Sequence, residues 1–111
     1  MKIAVRTIGD AKIIDCSGKI TLGEDTSSFR KTVRDLLQSG SVKILVNFAE
    51  VSYIDSAGIG ELVSTYTTVV NGGGRLKLVN LTKKIHQLLA ITKLLTVFET
   101  FDNEEAALES F

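Results

Sequence analysis

The residues best suited to chemistry sit together at Asp55-Ser56-Ala57-Gly58, inside the stretch EVSYIDSAGIGE at residues 50–61. An apolar run leads into them and a helical pattern starts at once. A hydroxyl at such a junction has three uses: as a nucleophile, as part of a phosphate cradle, or as a group that another enzyme modifies. A serine nucleophile needs a general base in reach, oriented by a third group. The chain has a single histidine, His86, beside the apolar stripe of a later helix, where a solvated or capping role is the ordinary one. The nucleophile-elbow pattern Gly-x-Ser-x-Gly is not met, because Ile54 stands where its first glycine belongs. One histidine and one cysteine, Cys16, far apart in sequence, fall short of a metal ligand set. Gly72-Gly73-Gly74 follows a helical segment instead of opening one, the wrong context for a phosphate-binding loop, and reads as a helix stop. No catalytic set, metal or cofactor is therefore expected. A binding module with a modifiable serine survives, beside the plainer reading of Asp-Ser as a helix N-cap.

The physics of the junction permits both readings. With Asp55 and Ser56 as N-cap and first helical residue, unpaired backbone N–H groups point out of the helix start. The helix dipole adds partial positive charge there, so the end tolerates an anion, including a phosphate on Ser56. Gly58 and Gly60 are poor helix residues, costing up to about 1 kcal/mol each against alanine. The expectation is that they bare a surface on which another backbone can come close.

Around this junction the periodicities lay out the frame. Residues 2–8 alternate and 11–16 are strand-like, with Gly9-Asp10 between them as a hairpin turn. Gly18–Gly23 reads as a loop. Phe29, Val33, Leu36 and Leu37 form one helical stripe from Asp25 on, and Gly40 suits its C-terminal cap. KILVNF at 43–48 is a strand buried on both faces. Residues 57–70 are helical, with a stripe at Ile59, Leu62, Val63 and Tyr66. RLKLVN at 75–80 is a strand, Thr82 caps a helix carrying Ile85, Leu88 and Leu89, and Val97–Phe101 is a last strand. Asp102 and Glu105 look like the capping start of a final helix. The order ββαβαβαβα implies an α/β fold: a mixed, mostly parallel sheet with an N-terminal antiparallel hairpin and helices packed on it.

The totals set bounds. A chain of 111 residues fits one domain, taken as 1–111, and buries enough surface for a core without staples. Lys plus Arg number 13 and Asp plus Glu 13, so the balanced charge argues against general nucleic-acid binding, which needs a basic surface. It also removes one barrier to self-association, so a weak dimer is compatible. MKIAVRTIGD lacks the apolar core of a signal peptide, and no apolar stretch is long enough for membrane insertion. The lone cysteine allows no intrachain disulfide, and a cytoplasmic location is the expectation.

LVNFAEVSYIDSAGIGELVSTY resembles the signature of STAS domains, the sulphate-transporter and anti-sigma-factor-antagonist family: an apolar strand, a V-x-x-I/M-D-S-x-G turn, then a helix. The resemblance extends upstream through CSGKITLGE and downstream through GGRLKLVNLTKKIHQLL and LLTVFETFDNEEAAL, nearly the whole chain. It is nearest to the stand-alone bacterial anti-sigma-factor antagonists. It implies a phosphoprotein of transcription regulation, not an enzyme, with Ser56 as phosphoacceptor. The implied partners are an anti-sigma factor serine kinase, sequestered by the unphosphorylated form so that a sigma factor is freed, and a metal-dependent serine phosphatase. The implied partner surface is the loop Thr21, Leu22, Gly23, Glu24 and Asp25, with Asp55, Ser56, Ala57, Gly58, Ile59 and Glu61 at the start of the helix. Thr21 and Thr26 are lesser phosphoacceptors. One departure stands out: Lys93-Leu94-Leu95 replaces the Gly-Leu pair that many members carry after the third helix, so that helix is expected to end differently. Two other readings remain open at this point: a STAS scaffold or regulatory subunit without kinase switching, and a small serine hydrolase using Ser56 and His86.

Overall fold

Ile44, Leu45 and Val46 follow one another and are all fully buried. Side chains alternate across a strand, so this requires cover on both faces. The computed structural model, which describes residues 1–111, supplies it. A five-stranded sheet in the order β1-β2-β3-β4-β5 is built from Lys2–Ile8, Ala11–Ile20, Lys43–Ile54, Arg75–Val79 and Thr100–Phe101. β1 and β2 form the expected antiparallel hairpin, with Gly9 at φ +61° in its turn, and all later pairings are parallel. Helices α1 (Glu24–Gln38), α2 (Ser56–Asn71) and α3 (Lys83–Ile91) cover one face. There Phe29, Val33, Leu62, Val69, Ile85 and Leu89 close over Ile14, Val46, Phe48 and Leu78. Helix α4 (Glu104–Glu109) covers part of the other, where Ala107, Leu108 and Phe111 pack on Ile13, Leu45 and Val79.

The helix ends follow their local chemistry. Gly40 takes φ +91°, and the N–H groups of Gly40 and Ser41 donate to Leu37 O and Leu36 O, each at 3.0 Å. These two bonds satisfy carbonyls that a helix end would leave orphaned. Helix α3 ends on a left-handed residue too, but that residue is Lys93, at φ +62°. Lysine here adopts a backbone that glycine takes without strain, and a 3-10 turn at Leu94–Thr96 follows it.

Three expectations are corrected. Gly18–Gly23 is not all loop, because β2 continues to Ile20 through two register shifts, between Asp15 and Ser17 and between Gly18 and Lys19. Each shift bends the strand without ending its pairing. Val97–Phe101 is not a full strand: a 3-10 turn spans Leu94–Thr96, and only Thr100 and Phe101 pair with β4. Phe98 leaves the sheet for the core, where its ring meets Tyr66 edge-on at 5.1 Å. Finally, Asn103 caps α4, its side chain accepting from Ala106 N–H at 2.8 Å; Asp102 does not.

Candidate functional site: the mouth of helix α2

The extra length of β2 and β3 builds the site. Their last pair is Ile20 opposite Ile54, so the residues that follow, Thr21 and Asp55, leave the sheet side by side. Asp55 N–H donates to Ile20 O at 3.2 Å, and the Asp55 carboxylate then acts in two directions. Oδ1 accepts from Gly58 N–H at 2.7 Å, which caps α2; Oδ2 accepts from Leu22 N–H at 3.1 Å, which tethers the loop. Both oxygens are thereby committed to backbone donors. Asp55 is an N-cap, as expected.

Ser56, the first helical residue, is exposed, at the positive end of a helix of 16 residues. Its backdrop is the loop Thr21–Asp25. The Asp25 carboxylate lies 3.0 Å from the Met1 ammonium and 3.0 Å from the Thr21 hydroxyl; these two contacts, the ammonium first, hold its carboxyl below the usual range. Leu22 is 78% exposed, Glu24 is exposed, and Gly23 is the cap residue of α1. The hydroxyls differ sharply in access. Thr26 is buried and donates to Gly23 O at 3.0 Å, and Thr21 donates to Asp25, whereas Ser56 faces solvent.

Two members of the expected partner surface face inward. A Cβ on Gly58 would lie 2.6 Å from Ile20 O and 2.6 Å from the Ile54 side chain. Gly58 is buried, and its missing side chain lets α2 sit against the ends of β2 and β3; it is not a bare outer surface. Gly60, by contrast, is exposed with open space around it. Glu61 is also buried, its carboxylate held by Arg30 of α1 at 2.7 and 3.1 Å. Ala57 and Ile59 are half-buried and remain available in part.

Sequence reasoning missed what lies beside Ser56. A groove of about 420 Å³ runs between the start of α2 and α3. Asp55, Ser56 and Ile59 line one wall, Leu88 and Ile91 the other, and Tyr53 stands at its edge with the Lys84 ammonium 5.2 Å from the ring centre. Ile91 is 79% exposed. An apolar residue in the last turn of α3, off the stripe of Ile85 and Leu89, was the signal available in the sequence. Nothing there marked Lys84. His86 is exposed and is not among the residues lining this groove. Burial pushes the Cys16 thiol up to about 12, so it carries no thiolate at neutral pH. No three His, Cys, Asp or Glu side chains gather as a metal-binding group, and no helix is long and apolar enough to cross a membrane.

Comparison with known proteins places this geometry. The chain is 33% identical over 87 residues to a Thermotoga neapolitana protein assigned as an anti-sigma factor antagonist, covering 78% of this chain and 77% of that one. It is 37% identical over 60 residues to the anti-sigma-B factor antagonist of Bacillus subtilis, covering 54% and 55% of the two chains. The crystal structure of a Thermotoga maritima protein assigned to the same class superposes with a TM-score of 0.89 at 26% identity, over 97% of this chain and 92% of that one. The phosphorylated form of the Bacillus cell-fate determinant SpoIIAA shares the fold, with a TM-score of 0.75 at 19% identity over 99% and 100% of the chains. The STAS domain family model matches residues 2–107, and the chain belongs to that family.

Proposed function

We propose that this chain is a cytoplasmic anti-sigma-factor antagonist switched by phosphorylation of Ser56. Unphosphorylated, it sequesters an anti-sigma factor serine kinase and so frees a sigma factor; a metal-dependent serine phosphatase restores that state. The observation that carries the reading is the access of Ser56: an exposed hydroxyl at a helix N-terminus, beside a carboxylate whose two oxygens each accept from a backbone N–H. The names of the relatives support the class of partner. The partner surface is Thr21–Asp25 with Asp55, Ser56, Ala57 and Ile59; Gly58 and Glu61 support it from beneath.

The switch is electrostatic. A phosphate adds about −1.5 to −2 charges and strong acceptor oxygens. At a free helix N-terminus the dipole favours that charge, so the fold persists. Pressed into a dry interface, the same group costs far more. Weakening a complex 100-fold takes about 2.7 kcal/mol, within reach of one misplaced phosphate.

The test is incubation with the cognate kinase and ATP, followed by intact mass and fragmentation. A single phosphate on Ser56 is expected, with binding weakened at least 100-fold in the modified protein. Ser56→Ala is expected to accept none and to bind with or without ATP. Phosphate elsewhere, or equal binding by modified and bare protein, refutes the reading.

A further inference from the structure

Lys84 is a cation without an anion. None of the chain's ion pairs uses it, and its ammonium rests 5.2 Å from the centre of the Tyr53 ring. Tyr53 precedes Ser56 by three residues, and all three side chains border the same groove. Only two charged residues line that groove, Asp55 and Lys84, and both Asp55 oxygens already accept from N–H groups. The cation on α3 thus faces the mouth of α2 with no carboxylate in salt-bridge contact, held by contact with a ring face alone. Such contacts at exposed sites are weaker than charge-assisted hydrogen bonds to a phosphate. The lysine stem is long and flexible, so the ammonium can leave the ring without moving α3.

Resting on the reading of Ser56 as phosphoacceptor, we propose that Lys84 is the counter-ion of the phosphorylated state: its ammonium moves from the Tyr53 ring to the phosphate and bridges α3 to the mouth of α2. The bridge crosses the apolar groove between Ile59 and Ile91. Phosphorylation then does two things at once, adding charge at Ser56 and closing the groove that a partner's apolar side chain would enter. The bare state keeps that groove open and leaves Tyr53 covered by Lys84.

The test installs phosphoserine at position 56 during synthesis, so that no kinase is needed. The protonation of the phosphate dianion to the monoanion is followed by phosphorus NMR, and the Tyr53 ring signals by proton NMR. A neighbouring cation favours the dianion, so Lys84→Gln is expected to raise the phosphate's proton affinity roughly threefold. Lys84→Arg is expected to leave it near the parent value. Lys83→Gln, an exposed neighbour outside the groove, is expected to do nothing. The Tyr53 signals are expected to shift between the bare and phosphorylated parent proteins, and to shift less between the same two states of Lys84→Gln. Equal proton affinities in the parent and Lys84→Gln overturn the proposal, as does a Lys83→Gln effect of the same size. A kinase that leaves Ser56 unmodified would refute the proposed function instead, since the counter-ion is measured on a phosphate already in place.

Discussion

The mouth of α2 and the flank under α4 both place charged side chains at the sheet, and they use them in opposite ways. At the mouth, Asp55 binds two backbone N–H groups and so fixes a helix and a loop, while the neighbouring Ser56 stays exposed. Under α4, Lys77 is 3% exposed and its ammonium is taken up by contacts within the fold. Its ammonium donates to both the carbonyl and the hydroxyl of Ser110 at 2.8 Å, pairs with Glu99 at 3.1 Å, and lies between the rings of Phe101 and Phe111. Polar groups consumed internally make a lock. A carboxylate that shapes the backbone and leaves its neighbour open makes a display. The two regions should therefore fail differently under mutation: the lock through stability alone, the mouth through recognition wherever the underlying packing is spared.

Gly58→Leu tests that division most severely, because Gly58 is the part of the mouth that behaves like the lock. Its side chain would have to displace the Ile20 carbonyl and the Ile54 side chain. Overpacking of this kind costs typically about 1–3 kcal/mol and more where backbone is in the way. Chemical denaturation is expected to show loss of most or all of the folding transition. One turn along, Gly60→Ala meets nothing, and the gain in helix propensity is expected to stabilise by up to about 1 kcal/mol. Similar effects at the two glycines would erase the distinction between them.

Lys77→Ala comes next, with an expected loss of about 2 kcal/mol from unpaired Ser110 acceptors and the space left between two rings. The measurable signature is a lower denaturant midpoint with kinase binding intact. A binding defect in a folded Lys77→Ala protein would show that the flank is no mere lock.

Lys77 also marks where the sequence was silent. RLKLV alternates, and a lysine in such a strand reads as solvent-facing. Its burial depends on Phe111 and Phe101 arriving from far along the chain, which no local pattern encodes. Gly58 was legible but misread. Gly58, Leu62, Thr65 and Val69 are buried at intervals of four, three and four residues, one face of a helix. The apolar stripe Ile59, Val63 and Tyr66 is half-buried beside it. Gly58, Glu61 and Thr65 share the inner face with Leu62 and Val69, and hydrophobicity alone rotates the helix by one position. By contrast the hairpin, the α1 stripe with its Gly40 end, and the two-faced strand at 43–48 rest on neighbours in sequence and could be read directly. The serine of the site was legible for the same reason. The groove beside it was not, since Tyr53 and Lys84 meet only across the fold.

Asp55→Ala is expected to have a smaller effect on stability than either lock position, about 1–2 kcal/mol for the lost cap and the loop tether. Asp55→Asn keeps one acceptor oxygen where the carboxylate has two, so it is expected to fall between. Hydrogen exchange sharpens the point: the amides of Leu22 and Gly58 are expected to lose protection in Asp55→Ala while those of β4 keep theirs. If neither amide responds, the carboxylate does not hold the mouth together.

Lys93→Gly is the smallest and the only stabilising change among the charged positions. Lysine at φ +62° carries a left-handed penalty of about 1–2 kcal/mol that glycine avoids. The greater freedom of glycine in the unfolded chain returns part of that gain. A net rise of about 0.5–1 kcal/mol, or roughly 2–5 °C in Tm, is expected. The position follows directly on the last turn of α3, where Ile91 and Thr92 line the groove opposite Ser56. Should Tm fall instead, the lysine side chain must contribute something at the helix end that outweighs its strained backbone, and the far wall of the groove would depend on that contact rather than on the helix cap alone.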